Sequence, residues 1–341
     1  MSRSWRVAVL GATGLVGETM IKVLEERRFP VAELFPLASN RSLGKSVEFQ
    51  GKTLPVIDVA DFDFSRADIG LFSAGGDVSR LYAPKAAAAG CVVIDNTSEF
   101  RYEEDIPLVV PEVNPTAIAD FAKRRIIANP NCSTIQMLVA LKPLHDAAVI
   151  ERINVATYQS VSGAGKEAVE ELAEQTVALM SGKGPIKPKV VAAQIAFNVV
   201  PQIDKFQDNG YTKEEMKMLW ETQKIFGDPS IRVNATTVRV PVFFGHSEVV
   251  NIETRRKLTV AEARSLLEKA PGVKVIDMRQ PGGYPTAAGN AANDDRVFVG
   301  RLREDLSHER GLNLWIVSDN IRKGAATNSV QIAEVLVRDH L

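Results

Sequence analysis

The sequence predicts an α/β protein, with a doubly wound parallel sheet in the first half and a second domain of α+β texture. Three observations carry this. Short apolar runs alternate with helical patterns from Val7 to Ala128. The first strand-to-helix turn is glycine-rich, and beyond Pro143 the alternation gives way to longer strands and amphipathic helices. Alternating strands and helices favour a parallel sheet that binds ligands beyond the carboxyl ends of its strands. A length of 341 residues fits two domains.

The first element is Val7-Ala8-Val9-Leu10, a continuous apolar run of the kind a strand buried on both faces requires. It enters Gly11-Ala12-Thr13-Gly14-Leu15-Val16-Gly17, and a helix follows through Met20, Ile21 and Leu24. Strand, glycine turn and helix form the setting of a Rossmann-like dinucleotide fingerprint, here with the variant spacing GxxGxxG. Glycines let backbone approach a pyrophosphate, whose charge the helix N-terminus stabilises. The plain alternative is a glycine-rich loop without ligand. The second strand, Leu34 to Ala38, ends in Ser39-Asn40-Arg41-Ser42. An NAD site places an acidic residue near this point; hydroxyls and a guanidinium suit a 2′-phosphate instead, so NADP is the expected cofactor. Arg41 as a solvated loop residue is the competing reading.

Further α/β units follow. Ile69 to Phe72 reads as a strand ending in Ser73-Ala74-Gly75-Gly76, small residues where a sheet edge meets a ligand. Helical Ser79 to Ala89 leads to the strand Val92 to Ile94, which Cys91 opens as a core residue. Leu108 to Val110 precedes a turn at Pro111 to Pro115, and Ile126-Ala128 is the next strand.

That strand runs into Asn129-Pro130-Asn131-Cys132-Ser133-Thr134. Proline keeps Asn129 extended, Asn131 falls where an N-cap belongs, and Cys132 falls in the first helical turn. Unpaired N–H groups and the positive end of the helix dipole favour a thiolate there, the form that attacks carbonyls. The bland alternative is inert packing, the usual fate of a cysteine without a disulfide.

Composition excludes several classes. Hydrophobic residues make up 45% and charged residues 24%, which supports a sizeable core. A net charge of −1, with no basic block or acidic tail, argues against nucleic acid or a membrane surface as partner. Two cysteines provide no disulfide framework and suit a reducing compartment. No apolar run approaches a signal-peptide core or a membrane span, so a soluble, cytoplasmic protein is expected.

In the second half, Ile150 to Val161 reads as a long strand ending in Gln159-Ser160-Val161-Ser162-Gly163-Ala164-Gly165. A helix from Lys166 carries Val169, Leu172, Thr176 and Leu179 on one face, and Ser181 to Lys189 is a surface loop. Thr212 to Phe226 is helical, with Met216, Leu219 and Trp220 expected inward and Glu214, Lys217, Glu221 and Lys224 as a solvated stripe. Ile231 to Glu253 is β-rich. There Val238, Val240 and Val242 alternate to one face and turn Arg239 to the other, where it needs an anionic partner. His246 follows a glycine and is the best candidate among four histidines for an acid or base; a satisfied core residue is the competing reading. His145 sits near a helix end, while His308 and His340 lie in charged stretches expected to be exposed. Pro281 to Asn290 is read as a loop, Val297 to Val299 and Leu314 to Val317 as strands. The final helix, Ile321 to Arg338, carries an apolar stripe that should dock on the first domain.

Taken together, the motifs at Gly11 to Gly17, Asn129 to Thr134, Gln159 to Gly165 and Arg239 to His246 resemble aspartate-semialdehyde dehydrogenase along nearly the whole chain. The resemblance implies Cys132 as nucleophile, His246 as general acid/base and Gln159 as an orienting residue. It implies Arg239, Glu214 and Asn131 at the substrate, and Arg101 and Lys217 at phosphate. Glu214 is taken over Glu215 on its spacing to Lys217. NADP would meet Gly11, Thr13, Gly14, Leu15, Val16, Gly17, Ser39, Arg41, Ser42, Ser73, Gly75, Ser162, Gly163 and Asn320; no metal is implied. Implied too are an NADP-binding domain of residues 1–131 with 321–341 and a catalytic and dimerisation domain of residues 132–320. The assembly would be a homodimer or a dimer of dimers. The reaction implied is reductive dephosphorylation of β-aspartyl phosphate to the semialdehyde through a Cys132 thioester. The alternatives are another thioester-forming reductase, such as an N-acetyl-glutamyl-phosphate or acyl-CoA reductase, and a non-enzymatic NADP-binding sensor. Arg239 with Glu214 favours a small amino acid with free amino and carboxyl groups.

Overall fold

The structure is a computed structural model that describes residues 3–341. The chain forms two compact units, Met1–Pro130 with Ala325–Leu341, and Asn131–Gly324.

The first unit is built on a six-stranded sheet. Its strands are β1 (Trp5–Leu10), β2 (Val31–Ala38), β5 (Ile57–Asp58), β6 (Ile69–Phe72), β7 (Val92–Asp95) and β8 (Ile126–Ala128), and a small hairpin of β3 (Ser46–Phe49) and β4 (Lys52–Pro55) stands apart. The order β5-β2-β1-β6-β7-β8 with every pair parallel is the doubly wound arrangement, and its winding reverses between β1 and β6. Helices α1 (Leu15–Glu26) and α2 (Gly76–Ala88) begin at the carboxyl ends of β1 and β6, on either side of that reversal. Two glycines make the β1-α1 turn possible. A Cβ on Gly17 would stand 2.1 Å from the Gly11 carbonyl oxygen, so only glycine lets the helix pack this close to the turn. Gly11 has φ of +90°, a conformation side chains rarely adopt.

The C-terminal helix completes this unit's core. Ala326, Val330, Ala333 and Leu336 pack with Val7, Leu24, Ile94 and Ile127. The helix itself, numbered α7 in chain order, spans Thr327–Asp339 and follows a π-helical turn at Arg322–Ala326, so it starts later than its apolar stripe suggests. Asn328 donates to Asn129 Oδ1 at 2.7 Å, and Asn129 donates to Asn96 Oδ1 at 2.6 Å. These bonds fix the chain where it leaves β8.

The second unit is a mixed sheet in the order β10-β9-β11-β14-β13-β12. Its strands are β9 (Ile150–Gln159), β10 (Arg232–Arg239), β11 (His246–Thr254), β12 (Val273–Val275), β13 (Val297–Glu304) and β14 (Gly311–Ser318). Helix α3 (Cys132–Ala148) packs across the middle of the sheet, and α5 (Lys213–Phe226) and α6 (Val260–Lys269) pack on β10 and on β12 and β13. Helix α4 (Lys166–Met180) forms a smaller core of Val161, Ala168, Leu172 and Ile195.

Three readings of this half change. Helix α5 buries Glu214, Lys217, Met218 and Glu221, while Trp220 is 36% exposed, so the inward face is the charged one. The charges are satisfied by bonds to one another and to distant residues, which apolar periodicity does not register. Residues 287–291, read as loop, form a π-helical turn capped by Thr286. His308 is half-buried, as is His340 in the first unit, which packs edge-on against Phe121.

Candidate active site

The site in the second unit grows from Asn131. Its extended backbone caps α3, and its side-chain oxygen accepts from the N–H groups of Ser133 and Thr134 at 3.0 and 3.2 Å. Cys132 is thereby the first residue of the helix, and it is half-buried. The Asn131 backbone N–H donates to Glu221 at 2.6 Å and its amide nitrogen donates to Glu214 at 2.9 Å. Gly324 lies against the cysteine: a Cβ there would be 2.7 Å from Cys132 Cβ.

Glu214 is the hub. One oxygen accepts from Asn131 and from Gln159 at 3.1 Å; the other accepts from Lys217 at 2.9 Å. Burial raises its carboxyl, but the Lys217 charge and these donors outweigh that and hold it down at about 2. Lys217 also donates to Asp204 at 2.9 Å, and these carboxylates keep its ammonium well above the usual lysine range against burial. Glu215 is committed elsewhere. It forms a capping box with Thr212 and accepts from the Thr237 N–H at 3.0 Å.

Three strand ends supply the remaining groups. Gln159 closes β9, Arg239 closes β10 in register with it, and His246 opens β11. Gln159 Nε2 lies 3.3 Å from His246 Nε2, and Thr157 donates to Gln159 Oε1 at 3.0 Å. His246 Nδ1 lies 3.1 Å from both the N–H and the hydroxyl of Ser160. Nδ1 accepts from that N–H, and the Ser160 hydroxyl donates to Asn320 Oδ1 at 3.0 Å, so the ring is held in place from the Nδ1 side. Burial first, and then the Arg239 charge, push His246 down to about 3, with Glu214 pulling the other way. The imidazole is therefore neutral at ordinary pH. Arg239 donates to the Ser160 carbonyl at 2.7 Å. A Cβ on Gly163 would stand 3.0 Å from Arg239 and 3.3 Å from the His246 ring, so glycine permits both to close in. Asn320 Oδ1 also accepts from the Gly245 N–H at 2.9 Å, which latches the turn before His246. Ser162 joins the same knot at 3.2 Å.

The first unit holds a separate cleft of about 680 Å³ beyond the ends of β1, β2 and β6. Gly11, Thr13 and Gly14 line one side, and Ser39, Arg41 and Ser42 line another. Ser73 closes it near Gly11, while Leu15, Val16 and Gly17 open α1 and Gly75 caps α2. Thr13 and Ser42 hydroxyls meet at 3.1 Å. Lys45 and Tyr82, not singled out from sequence, also line the cleft. Asp58 lies there too, but its carboxylate accepts from the Ala60 N–H at 3.0 Å. A glycine turn at a helix N-terminus, with hydroxyls and two cations nearby, fits a dinucleotide carrying an extra phosphate. Arg101 belongs to this unit, is buried, and donates to the Asn96 carbonyl at 3.0 Å. Cys91 is core, and burial pushes its thiol up to about 12.

Residues 6–121 match the family model described as semialdehyde dehydrogenase, NAD binding domain, and residues 141–323 match semialdehyde dehydrogenase, dimerisation domain. The aspartate-semialdehyde dehydrogenase of Shewanella sp. (strain DB6705) is 64% identical over 340 residues, covering 100% of both chains. The crystal structure of aspartate semialdehyde dehydrogenase II from Vibrio cholerae, complexed with ASA, superposes with a TM-score of 0.98 at 61% identity over 100% of both chains. The Candida albicans aspartate semialdehyde dehydrogenase with NADP superposes with a TM-score of 0.76 at 25% identity, over 98% of both chains.

Proposed function

This chain belongs to the aspartate-semialdehyde dehydrogenase family, and from that membership we propose that its reaction runs on Cys132, His246, Gln159, Arg239 and Glu214. The enzyme interconverts L-β-aspartyl phosphate and L-aspartate β-semialdehyde with NADPH, a step in aspartate-family amino-acid biosynthesis. Other thioester-forming reductases and a bare NADP sensor are not favoured by relatives of this identity. The observation that carries the residue roles is the hydrogen-bonded chain Asn131–Glu214–Gln159–His246, which gathers around the helix that begins at Cys132.

The residues account for the chemistry as follows. In the oxidative direction Cys132 sulfur bonds the aldehyde carbon and neutral His246 takes the hydroxyl proton of the hemithioacetal. Loss of hydride from that carbon leaves the thioester, and phosphate then displaces sulfur. The biosynthetic direction reverses these steps, with the imidazolium returning the proton. NADP, when bound, would accept that hydride, and NADPH would supply it in the biosynthetic direction. Arg239, placed by β10, would hold the substrate carboxylate, and Glu214, ionised down to about 2, would hold the ammonium group. Lys217 already faces two carboxylates, so with Arg101 it would meet phosphate as part of a balanced network. Thr13, Arg41 and Ser42 would hold the cofactor, as the cleft's hydroxyls and cation suggest. Ser162, Gly163 and Asn320 are the further residues we assign to the cofactor; the bonds Asn320 makes give it a structural duty as well.

Residues 1–131 with 321–341 serve as the NADP-binding domain on this reading, and residues 132–320 as the catalytic and dimerisation domain. The second unit's dimerisation domain supports an oligomer, for which we take a homodimer, alone or paired as a dimer of dimers, in the cytoplasm. Among the described residues, no helix is long and apolar enough to cross a membrane. The test of function supplies L-aspartate semialdehyde with phosphate and NADP and follows formation of reduced nicotinamide. No signal, beside a signal from an acetylated or CoA-linked aldehyde, would overturn the substrate.

A further inference from the structure

Two buried polar side chains lie directly behind the reacting groups. Glu248 follows His246 by two residues on β11, so both face the same side of the sheet. Gln136 follows Cys132 by one turn of α3, on the same face of that helix. α3 packs on β11, and both Glu248 and Gln136 are 0% exposed. The Gln136 amide is the polar neighbour of the Glu248 carboxyl. None of the four side-chain polar atoms has a hydrogen-bond partner in good geometry, so the acid and the amide are buried neighbours whose bond is not closed. Across the sheet Glu248 faces Thr157 and Ile316, and the Thr157 hydroxyl is given to Gln159.

We propose that Glu248 is a positioning residue: having no other polar group to turn to, it closes a pair with Gln136 and so ties the helix that begins at Cys132 to the strand that begins at His246. The proposal rests on Cys132 and His246 being the reacting pair. An ionised carboxylate in this position would be buried without a cation, which is prohibitively costly. Burial accordingly drives the carboxyl well above its usual range, with only Gln136 acting in the other direction. The carboxylic acid has one O–H donor and one carbonyl acceptor; a primary amide offers the complement of both. The pair is thus a neutral tether, and an acid and an amide at position 248 should serve it equally.

The test uses the full-length enzyme and the variants E248Q and E248A. E248Q is expected to keep kcat within about twofold, because it preserves shape and neutrality. E248A is expected to lower kcat by roughly ten- to hundredfold, the scale of a small misplacement of reacting groups, with KM for semialdehyde and NADP little changed. Iodoacetamide labelling of Cys132 should slow in E248A and not in E248Q. Wild-type kcat in E248A, or a loss in E248Q as large as in E248A, overturns the proposal. Should E248A fail to fold, infrared spectroscopy at neutral pH decides. Wild type is expected to show a carboxylic-acid carbonyl band that E248Q lacks, and absence of that band also overturns the proposal. A wrong functional reading would appear instead as wild type inactive on aspartate semialdehyde, and the infrared band does not depend on turnover.

Discussion

Asn131 caps the helix that begins at Cys132 with its side-chain oxygen and donates to Glu214 at 2.9 Å with its side-chain nitrogen. One residue therefore sets both the direction of the helix that begins at Cys132 and the orientation of the carboxylate proposed for the substrate. Asn131→Ala should lose about 1 kcal/mol for the cap and lower the melting temperature by roughly 2–4 °C. It should also raise the KM for semialdehyde, because Glu214 loses a donor. Asn131→Asp should keep the cap but set a second carboxylate beside Glu214, so its KM rises while its melting temperature holds. Thermal unfolding and steady-state kinetics check both, and an unchanged melting temperature in Asn131→Ala would refute the capping account.

Cys132→Ala should abolish the thioester and lose at least about a thousandfold in rate, the scale of removing a nucleophile. Intact-protein mass spectrometry after brief exposure to semialdehyde and NADP, with phosphate left out, reads the thioester directly. Adduct formation in the variant would place the nucleophile elsewhere.

Gly324 lies where a Cβ would meet Cys132 Cβ at 2.7 Å, close to the backbone and with no flexible end to yield. Gly324→Ala should therefore shift the cysteine and cost kcat up to about a hundredfold, with little effect on substrate KM. A variant with full kcat would show that the cysteine moves without consequence.

Much of the first unit was legible in the sequence because its signals are local. The glycines between β1 and α1 have a steric reason that lies within seven residues, and the missing acidic residue after β2 is read at a single turn. Asn131 declared itself as a cap in the same way. Helix α5 did not, because its inward face is polar. Lys217 is balanced by Glu214 three residues away and by Asp204 in a preceding loop, and Glu221 accepts from Asn131, 90 residues distant. Apolar periodicity therefore sent Trp220 inward and the charged stripe outward. Ser160 and Gly324 carried no signal at all, since their importance lies in which atoms they touch.

His246 gives a pH dependence whose sign is fixed. Its folded value of about 3 lies below the ordinary 6.5, so between these values the unfolded chain binds more protons than the folded one. Stability therefore rises with pH across that window and is lost as pH falls below the ordinary value. Glu214 acts in the same direction, but only below the ordinary carboxylate range. From about pH 7 to about pH 5, His246→Asn should lose roughly 2 kcal/mol less stability than wild type. Denaturant unfolding at the two pH values measures it, and parallel losses would mean that the folded imidazole protonates normally.

Arg41 and Lys45 are the cations lining the cleft beyond β2, and the one carboxylate there, Asp58, is already bonded to the Ala60 N–H. NADP differs from NAD by a single phosphate, so its preference should reside in whichever cations reach that group. A charge-assisted bond contributes about 1.5–3 kcal/mol, which corresponds to roughly ten- to hundredfold in kcat/KM. Arg41→Ala should lose that much with NADP and almost nothing with NAD, and Lys45→Ala should follow the same pattern more weakly because its longer, freer chain orders less well. Both losses should shrink as ionic strength rises, since the cleft is open to solvent. Kinetics with both cofactors at two salt concentrations decide the matter. An equal fall with NAD and NADP would assign Arg41 to the shape of the turn and leave the preference to other residues.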